Sequence, residues 1–268
     1  MTKSSGPFPA LGTYFYPVSE ESEVSRIALL LVLKLNRYNW LMSAKLVIDD
    51  NLLNELFSKY PARSLPKNRP LIYQGEVPTM AFFVESGIVR LYNITGQGEE
   101  RTVGYEGKGG LLPMEWLFSK APVALYYYDT YTNCEIRRLP KDELIDLLNR
   151  KPQAAAAFLD RAISMYLGTT MHLHALEQPK ARQKILYILQ FLTLRFGKDI
   201  GSSNQQIELK LTHQEISNLI GITRETVSTE IGKLTKEGVI KVTDSIYVIN
   251  SDKATRLLGE EDFKELRL

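Results

Sequence analysis

A short segment near the end of the chain limits most strongly what the chain can fold into. Residues 211–240 read LTHQEISNLIGITRETVSTEIGKLTKEGVI, which predicts two short helices around a tight turn at Gly221. Thr212 with Glu215 forms a capping box for the first helix, and Thr223 can cap the second. Inward-facing apolar residues recur at helical spacing, namely Ile216, Leu219 and Ile220, then Val227, Ile231 and Leu234. The segment is therefore predicted to be a helix-turn-helix.

The outward face of the second helix is polar near its start, where it carries Arg224, Glu225, Ser228 and Thr229. Arginine can bond O6 and N7 of guanine, glutamate can accept from the amino group of cytosine, and hydroxyls reach phosphates or base edges. A cation at a helix start opposes the helix dipole, so helix stability alone explains Arg224 poorly. A solvated helix end is one interpretation. We favour the other, a DNA-reading surface to which Thr212 and Thr223 add contacts.

A predicted β-hairpin, VIKVTDSIYVIN, follows at residues 239–250 and would form a wing beside the two helices. Residues 180–250 carry ten Lys and Arg against seven Asp and Glu, whereas the residues before 180 carry 19 of each. This basic excess fits a module that faces phosphates, but it equally fits a chance fluctuation. We predict a winged helix-turn-helix DNA-binding domain at residues 179–250 and a charged tail at residues 251–268.

Residues 65–139 carry the strand signals. The run AFFVESGIVRLYNI predicts a strand, a turn at Gly87 and a second strand, and ALYYYDTYTNCEIRRLP adds more β-rich sequence. Several short strands separated by glycine turns predict an antiparallel β-roll, which we assign to residues 42–151. The fold class is therefore α+β, with a roll, a long helix and a winged helix-turn-helix in that order.

From Pro152 the hydrophobic period becomes helical, and residues 152–178 predict one long helix. An apolar seam at 3.5-residue spacing consists of Phe158, Ala162, Met165, Thr169, His172 and Leu176. The stripe beside it consists of Leu159, Ile163, Tyr166, Thr170 and Leu173. Two stripes allow one helix to pack on its own domain and on a partner. We predict a homodimer joined along the seam; a helix buried within one chain is the alternative.

Residues 1–41 differ from the rest because they are rich in Ser, Pro and Gly, which predicts a flexible arm or an extension upstream of a true start at Met42. The apolar run at residues 27–35 is much shorter than the roughly 20 residues that span a bilayer. Cys134 is the only cysteine, which excludes an intrachain disulfide, a four-cysteine iron–sulfur cluster and a thiolate zinc site. We expect a soluble, cytoplasmic protein with no metal and no membrane partner.

These motifs together resemble a known family. Residues 212–240 resemble the winged helix-turn-helix of the Crp-Fnr family of bacterial transcription regulators, the cAMP receptor protein superfamily. LIYQGEVPTMAFFVESGIVRLY and YTNCEIRRLPKDEL are similar to the two ends of its β-roll, and the helix from Pro152 matches its dimerisation helix in position. The resemblance implies a cyclic-nucleotide-binding-like roll and a homodimer on a palindromic operator, with half-sites about one helical turn apart.

Site residues are carried over from the family position by position. Arg224 and Glu225 fall on its base-contacting arginine and glutamate, and Thr229 stands where cAMP-binding members have a second base-contacting arginine. This departure implies a different operator sequence, and DNA binding itself is still expected.

The sensor region departs further from the family. The cAMP-binding members hold the ribose with Gly-Glu and the cyclic phosphate with Arg-Ser or Arg-Thr, but here leucines and Pro113 stand at the first position and no Arg-Ser follows. We therefore do not expect cAMP, and because all three histidines lie beyond the roll, we do not expect haem. Aromatic residues replace the cassette and could line a pocket for a small unidentified effector, namely Trp116, Tyr126, Tyr127 and Tyr128. Alternatively, these rings fill the roll.

We therefore expect a homodimeric transcription regulator that binds double-stranded DNA, with RNA polymerase as a further candidate partner. The sequence shows no nucleophile–base pair, phosphate loop or metal cluster, so we do not expect an enzyme. The alternative is an effector-sensing interaction module whose winged domain binds protein rather than DNA.

Overall fold

The computed structural model describes residues 57–259, all of which lie within one compact unit. The predicted arm at residues 1–41, the start of the predicted roll domain at residue 42 and tail residues 260–268 lie outside the described residues. Within the described range, no helix is both long enough and apolar enough to cross a membrane. The boundaries assigned to the individual domains stay a prediction.

The predicted antiparallel roll is confirmed. Its strands are β1 (Ala62–Leu65), β2 (Pro70–Ile72), β3 (Ala81–Ser86), β4 (Val89–Ile94), β5 (Glu100–Glu106), β6 (Leu111–Leu112), β7 (Tyr127–Thr130) and β8 (Cys134–Leu139). They form two four-stranded sheets, ordered β1-β8-β3-β6 and β2-β7-β4-β5. Apolar side chains from both sheets, such as Val84 and Leu91, form the core between them. Cys134 belongs to this core, where burial raises the pKa of its thiol.

The turn between β3 and β4 requires glycine at Gly87. Its φ of 86° lies in the left-handed region, and a Cβ there would come within 2.3 Å of the carbonyl oxygen of Asn133 and 2.6 Å of Sγ of Cys134. Neighbouring segments of the roll approach each other closely at this point, so both the backbone conformation and the space exclude a side chain.

Replacing Gly87 with alanine should therefore destabilise the roll. The left-handed conformation alone costs an alanine about 1–2 kcal/mol, and the contact with Asn133 adds the cost of overpacking, roughly 1–3 kcal/mol. The matched control is Gly98→Ala, because Gly98 has a similar φ of 81° but open space around it. Urea unfolding should show a clearly larger loss for Gly87→Ala than for Gly98→Ala, and equal losses would contradict this account.

Three helices follow the roll strands or interrupt them: α1 (Met114–Leu117), α2 (Lys141–Arg150) and α3 (Pro152–Glu177). Pro152 occupies the first turn of α3, where a missing N–H costs nothing, and Pro179 follows the end of the helix. Phe158 of α3 packs into a cluster with Phe83 and Trp116. The first half of α3 is therefore held against the roll of its own chain.

The winged domain is built from α4 (Ala181–Phe196), α5 (His213–Ile220), α6 (Arg224–Lys236) and α7 (Ser251–Leu258), with the strands β9 (Gly197–Asp199), β10 (Asn204–Ile207), β11 (Ile240–Thr243) and β12 (Ile246–Asn250). The predicted wing hairpin is present as β11 and β12. Residues 185–193 of α4 are buried without interruption, so α4 forms the centre of this domain.

One part of the winged domain differs from the prediction. KDIGSSNQQ, interpreted as a polar loop, overlaps β9 and β10, which pair with each other and extend the wing to four strands, ordered β11-β12-β10-β9. Backbone bonding to β12 holds β10, with Gln205 opposite Ile249. Of the four residues of β10 only Ile207 is buried in the apolar core, so the polar residues before it did not indicate a strand.

Candidate nucleic-acid interface

The capping box fixes the start of α5. The amide of Glu215 donates to Oγ1 of Thr212 at 3.2 Å, and the amide of Thr212 donates to Oε2 of Glu215 at 2.6 Å. Gly221 ends the helix in the left-handed conformation, with φ of 66°. Both features were predicted, and together they set the direction in which the chain enters α6.

The inner face of α6 fixes its rotation about its own axis. Val227, Ile231 and Leu234 are almost fully buried in the core around α4. Thr223 caps the helix, because its Oγ1 accepts from the amide of Thr226 at 3.2 Å. The opposite face of α6 must therefore point to solvent.

The exposed face carries the residues predicted to contact DNA. Arg224, Glu225, Ser228 and Thr229 are all exposed and share one side of the first two turns. Within residues 57–259, neither Arg224 nor Glu225 has an ion pair or side-chain hydrogen bond. The two side chains that best discriminate between bases are thus available to a ligand.

The two threonines at the helix starts are exposed but differ in how they are engaged. The Thr212 hydroxyl also donates to Oε2 of Glu215 at 2.9 Å, so its proton already has an acceptor within the chain. Thr223 shares a 2.9 Å contact with the hydroxyl of Thr226. Both threonines therefore lie at the surface and cap their helices, and the hydroxyl proton of Thr212 is in addition bound by Glu215.

Further cations lie in the same domain. Lys236 in the last turn of α6 and Lys241 in the wing are exposed, and neither was among the predicted site residues. The excess of Lys and Arg in residues 180–250 was the sequence signal that indicated such residues.

Burial, with the nearby charge of Arg224, lowers the pKa of His213, so the His213 imidazole is mainly neutral at neutral pH.

The predicted dimer seam does not form one open surface. Phe158 and His172 are buried in their own chain, Ala162 and Met165 are partly buried, and only Thr169 and Leu176 are exposed. The neighbouring stripe is open instead, with Leu159, Ile163, Tyr166 and Leu173 each at least half exposed. The seam stays a prediction: Phe158 packs on the roll and His172 contacts the winged domain, whereas the second stripe of α3 faces outward.

The four aromatic residues of the predicted effector pocket do not surround a common space. Trp116 and Tyr128 are buried in two different cores, and the Tyr128 hydroxyl donates to Oε1 of Glu115 at 2.9 Å. Tyr127 stacks on Tyr92 at 5.2 Å, and the ring of Tyr126 lies 6.4 Å from the ring of Tyr128. Each ring packs on a separate partner, which favours the alternative that these rings fill the roll.

A cavity of about 420 Å³ lies elsewhere, between the glycine turn at residues 107–110, α3 and the end of α4. Phe83 and Phe158 contribute to its apolar wall, and Lys108 and Arg161 contribute charges. Its volume falls in the range that holds small molecules.

The roll, the 26-residue helix and the winged helix-turn-helix together define a class of protein: a regulator of transcription that binds DNA through its helix-turn-helix. The family profile described as the Crp-like helix-turn-helix domain matches residues 183–253, and that of the cyclic nucleotide-binding domain matches residues 62–151. The chain belongs to the Crp-Fnr family of transcription regulators.

Named relatives agree with this membership. The fumarate and nitrate reduction regulatory protein of Salmonella typhimurium is 27% identical over 212 residues, which cover 78% of this chain and 82% of the relative. The protein of the same name from Escherichia coli is 26% identical over 212 residues, with the same coverage.

Solved structures share the fold. A transcriptional regulator of the CRP family from Thermus thermophilus superposes with a TM-score of 0.61 at 17% identity, covering 75% of this chain and 98% of that one. A CooA mutant from Carboxydothermus hydrogenoformans gives a TM-score of 0.64 at 17% identity, covering 80% of this chain and 99% of that one.

Proposed function

We propose that the protein is a homodimeric, sequence-specific transcription regulator that reads its operator with α6. One observation carries the proposal. The buried face of α6 turns Arg224, Glu225, Ser228 and Thr229 outward, and neither charged side chain has an ion pair or side-chain hydrogen bond in the described part of the chain. An exposed arginine and glutamate without partners in the protein, at the start of a helix, are suited to base recognition in a major groove.

Each exposed side chain has a role in this proposal. Arg224 donates to a guanine, Glu225 accepts from a cytosine amino group, and Ser228 and Thr229 contact base edges or phosphates. Thr223 reaches a phosphate, whereas Thr212, whose hydroxyl is engaged by Glu215, contributes chiefly by capping α5. Lys236 and Lys241 supply phosphate contacts that make binding depend on salt.

The open stripe of α3 supplies the dimer surface. Leu159, Ile163, Tyr166 and Leu173 recur at three-, four- and seven-residue steps, so they lie along one side of the helix. A second copy of the chain would cover this stripe and place two α6 helices on one face of the DNA. Half-sites in the operator are then separated by about 10 base pairs.

A small effector, if the protein has one, belongs in the cavity beside α3. A thermal-shift screen tests this placement with Met165→Trp as the control, because Met165 lines the cavity and tryptophan would fill it. A compound that raises the melting temperature of the wild type but not of this variant supports the placement. A compound that stabilises both proteins equally contradicts it.

We expect cAMP itself not to bind, because Pro113 stands at the position that holds the ribose in cAMP-binding members and no Arg-Ser or Arg-Thr follows for the phosphate. A ligand at 100 times its Kd stabilises the folded state by roughly 2.7 kcal/mol, which a melting curve detects readily. Millimolar cAMP should leave the melting temperature unchanged. A saturable rise would show that a different phosphate site exists.

Binding of the winged domain to protein rather than DNA is the competing function, and contact with RNA polymerase is a further proposal that is compatible with DNA binding. A mobility-shift assay on genomic fragments separates the two functions. We expect a subset of fragments to be retarded and the affinity to fall steeply as salt rises. Failure to prefer any fragment at low salt would favour the protein-binding function.

A further inference from the structure

The winged domain and the roll meet at a polar joint. Arg195 of α4 donates to Glu106 of β5 at 3.0 Å, and both side chains are largely buried. The Tyr131 hydroxyl, just after β7, donates to the carbonyl oxygen of Lys210. His172 of α3 also belongs to this joint, where it lies between β5 and α5. The joint therefore links the roll, the long helix and the domain that carries α6.

His172 contacts a carbonyl oxygen with each of its ring nitrogens. Nδ1 lies 3.1 Å from the carbonyl oxygen of Val103 in β5, and Nε2 lies 2.7 Å from that of Leu219 in α5. The residue is only 8% exposed, and its ring stacks parallel to that of Phe191 in α4 at 6.5 Å. Water therefore has little access to either nitrogen.

This geometry requires a particular protonation state. A carbonyl oxygen only accepts hydrogen bonds, and a neutral imidazole carries one N–H and one bare nitrogen. Only the doubly protonated ring can donate to Val103 and Leu219 together. In the neutral ring, a lone pair would face a carbonyl oxygen at hydrogen-bonding distance inside the protein, which is repulsive and leaves a buried acceptor unpaired.

Charged side chains of α4, β5 and α5 lie around the joint. Arg195 is the cation on α4, and the carboxylate of Glu106 on β5 pairs with it. Glu215 lies one turn before Leu219 on α5. Burial raises the pKa of Tyr131 and the pKa of Tyr105, which lies two residues beyond Val103 on β5, and the Glu215 carboxylate adds to both shifts.

We propose that the protonation of His172 controls this joint and thereby sets the position of the DNA-binding domain against the roll. Protonated His172 ties α5 to β5, and loss of the proton removes one of the two links. The joined arrangement holds one proton more than the separated one, so it is favoured as pH falls and weakened as pH rises. The inference goes beyond DNA binding, because the joint operates whether or not DNA is bound.

The first test uses the wild-type full-length protein and no DNA. Ring nitrogen NMR at about pH 6 distinguishes a doubly protonated imidazole from a neutral one, because a bare nitrogen resonates separately from a protonated nitrogen. We expect His172, assigned by comparison with His172→Gln, to show two protonated nitrogens. A bare nitrogen on His172 under these conditions overturns the proposal, whatever the variant does.

The second test measures hydrogen exchange of the β5 and α5 amides between about pH 6 and pH 8, corrected for the intrinsic pH dependence of exchange. In the wild type, exchange at the joint should accelerate by up to about tenfold per pH unit once the ring loses its proton. Glutamine does not titrate, so His172→Gln should show no such acceleration. His174→Gln, two residues along α3, is the matched control and should behave as the wild type. A pH dependence that persists in His172→Gln, or vanishes in His174→Gln, contradicts the proposal.

Discussion

Replacing Ile163 with glutamate should convert the protein to a monomer and weaken operator binding by about 100-fold or more. Ile163 lies in the middle of the open stripe of α3 and is half exposed in one chain. In a dimer, Ile163 of one chain would face Ile163 of the other. Two unpaired carboxylates brought together there would cost more free energy than burial of the stripe contributes. Loss of the dimer removes the second α6, and with it the gain from binding two half-sites at once.

Thr169→Glu is the matched control for this change. Thr169 is exposed on the same helix but belongs to the seam that otherwise packs on the chain itself. We expect Thr169→Glu to remain dimeric by sedimentation and to bind DNA as the wild type does. If Thr169→Glu dissociates and Ile163→Glu does not, the dimer uses the originally predicted seam and the proposed stripe is wrong.

Replacing Arg224 with alanine should weaken binding to the cognate site by about 1–3 kcal/mol, or roughly 5- to 150-fold. The loss of base discrimination should be confined to one position of each half-site, because a bidentate arginine distinguishes guanine from the other bases. Competition with operators that carry each base at that position measures the effect. The variant should bind all four with similar affinity.

Lys236→Ala is the control for the Arg224 prediction. A lysine that contacts phosphate contributes the same energy on every sequence, so its loss should weaken binding uniformly and lower the slope of log K against log salt by about one. Melting temperatures close to the wild type are expected for both variants, since both side chains are exposed. Uniform weakening by Arg224→Ala would assign Arg224 to phosphate rather than to a base.

Local features of the sequence predicted the helix-turn-helix well. Its caps, its turn and the buried face of α6 depend on residues within a few positions of each other, as in the box formed by Thr212 and Glu215. The roll was also predictable, because its strands alternate with glycine turns such as Gly87. In both cases the interaction that stabilises the element can be read from neighbouring residues.

Features that depend on distant partners were missed. Both stripes of α3 are mainly apolar in sequence, and the packing of Phe158 on the roll and of His172 on the winged domain decides which one remains open. The same applies to Tyr128, whose partner Glu115 lies on a different element. Strand β10 is stabilised by backbone pairing to β12, which its polar residues do not indicate.

Genome-wide footprinting of the wild type beside Arg224→Ala tests the central claim most directly, namely that α6 reads a specific operator as part of a dimer. We expect protected sites that share a palindrome with half-sites about 10 base pairs apart, and loss of these sites in the variant. Protection scattered without a common sequence, or the same sites protected by both proteins, would contradict it.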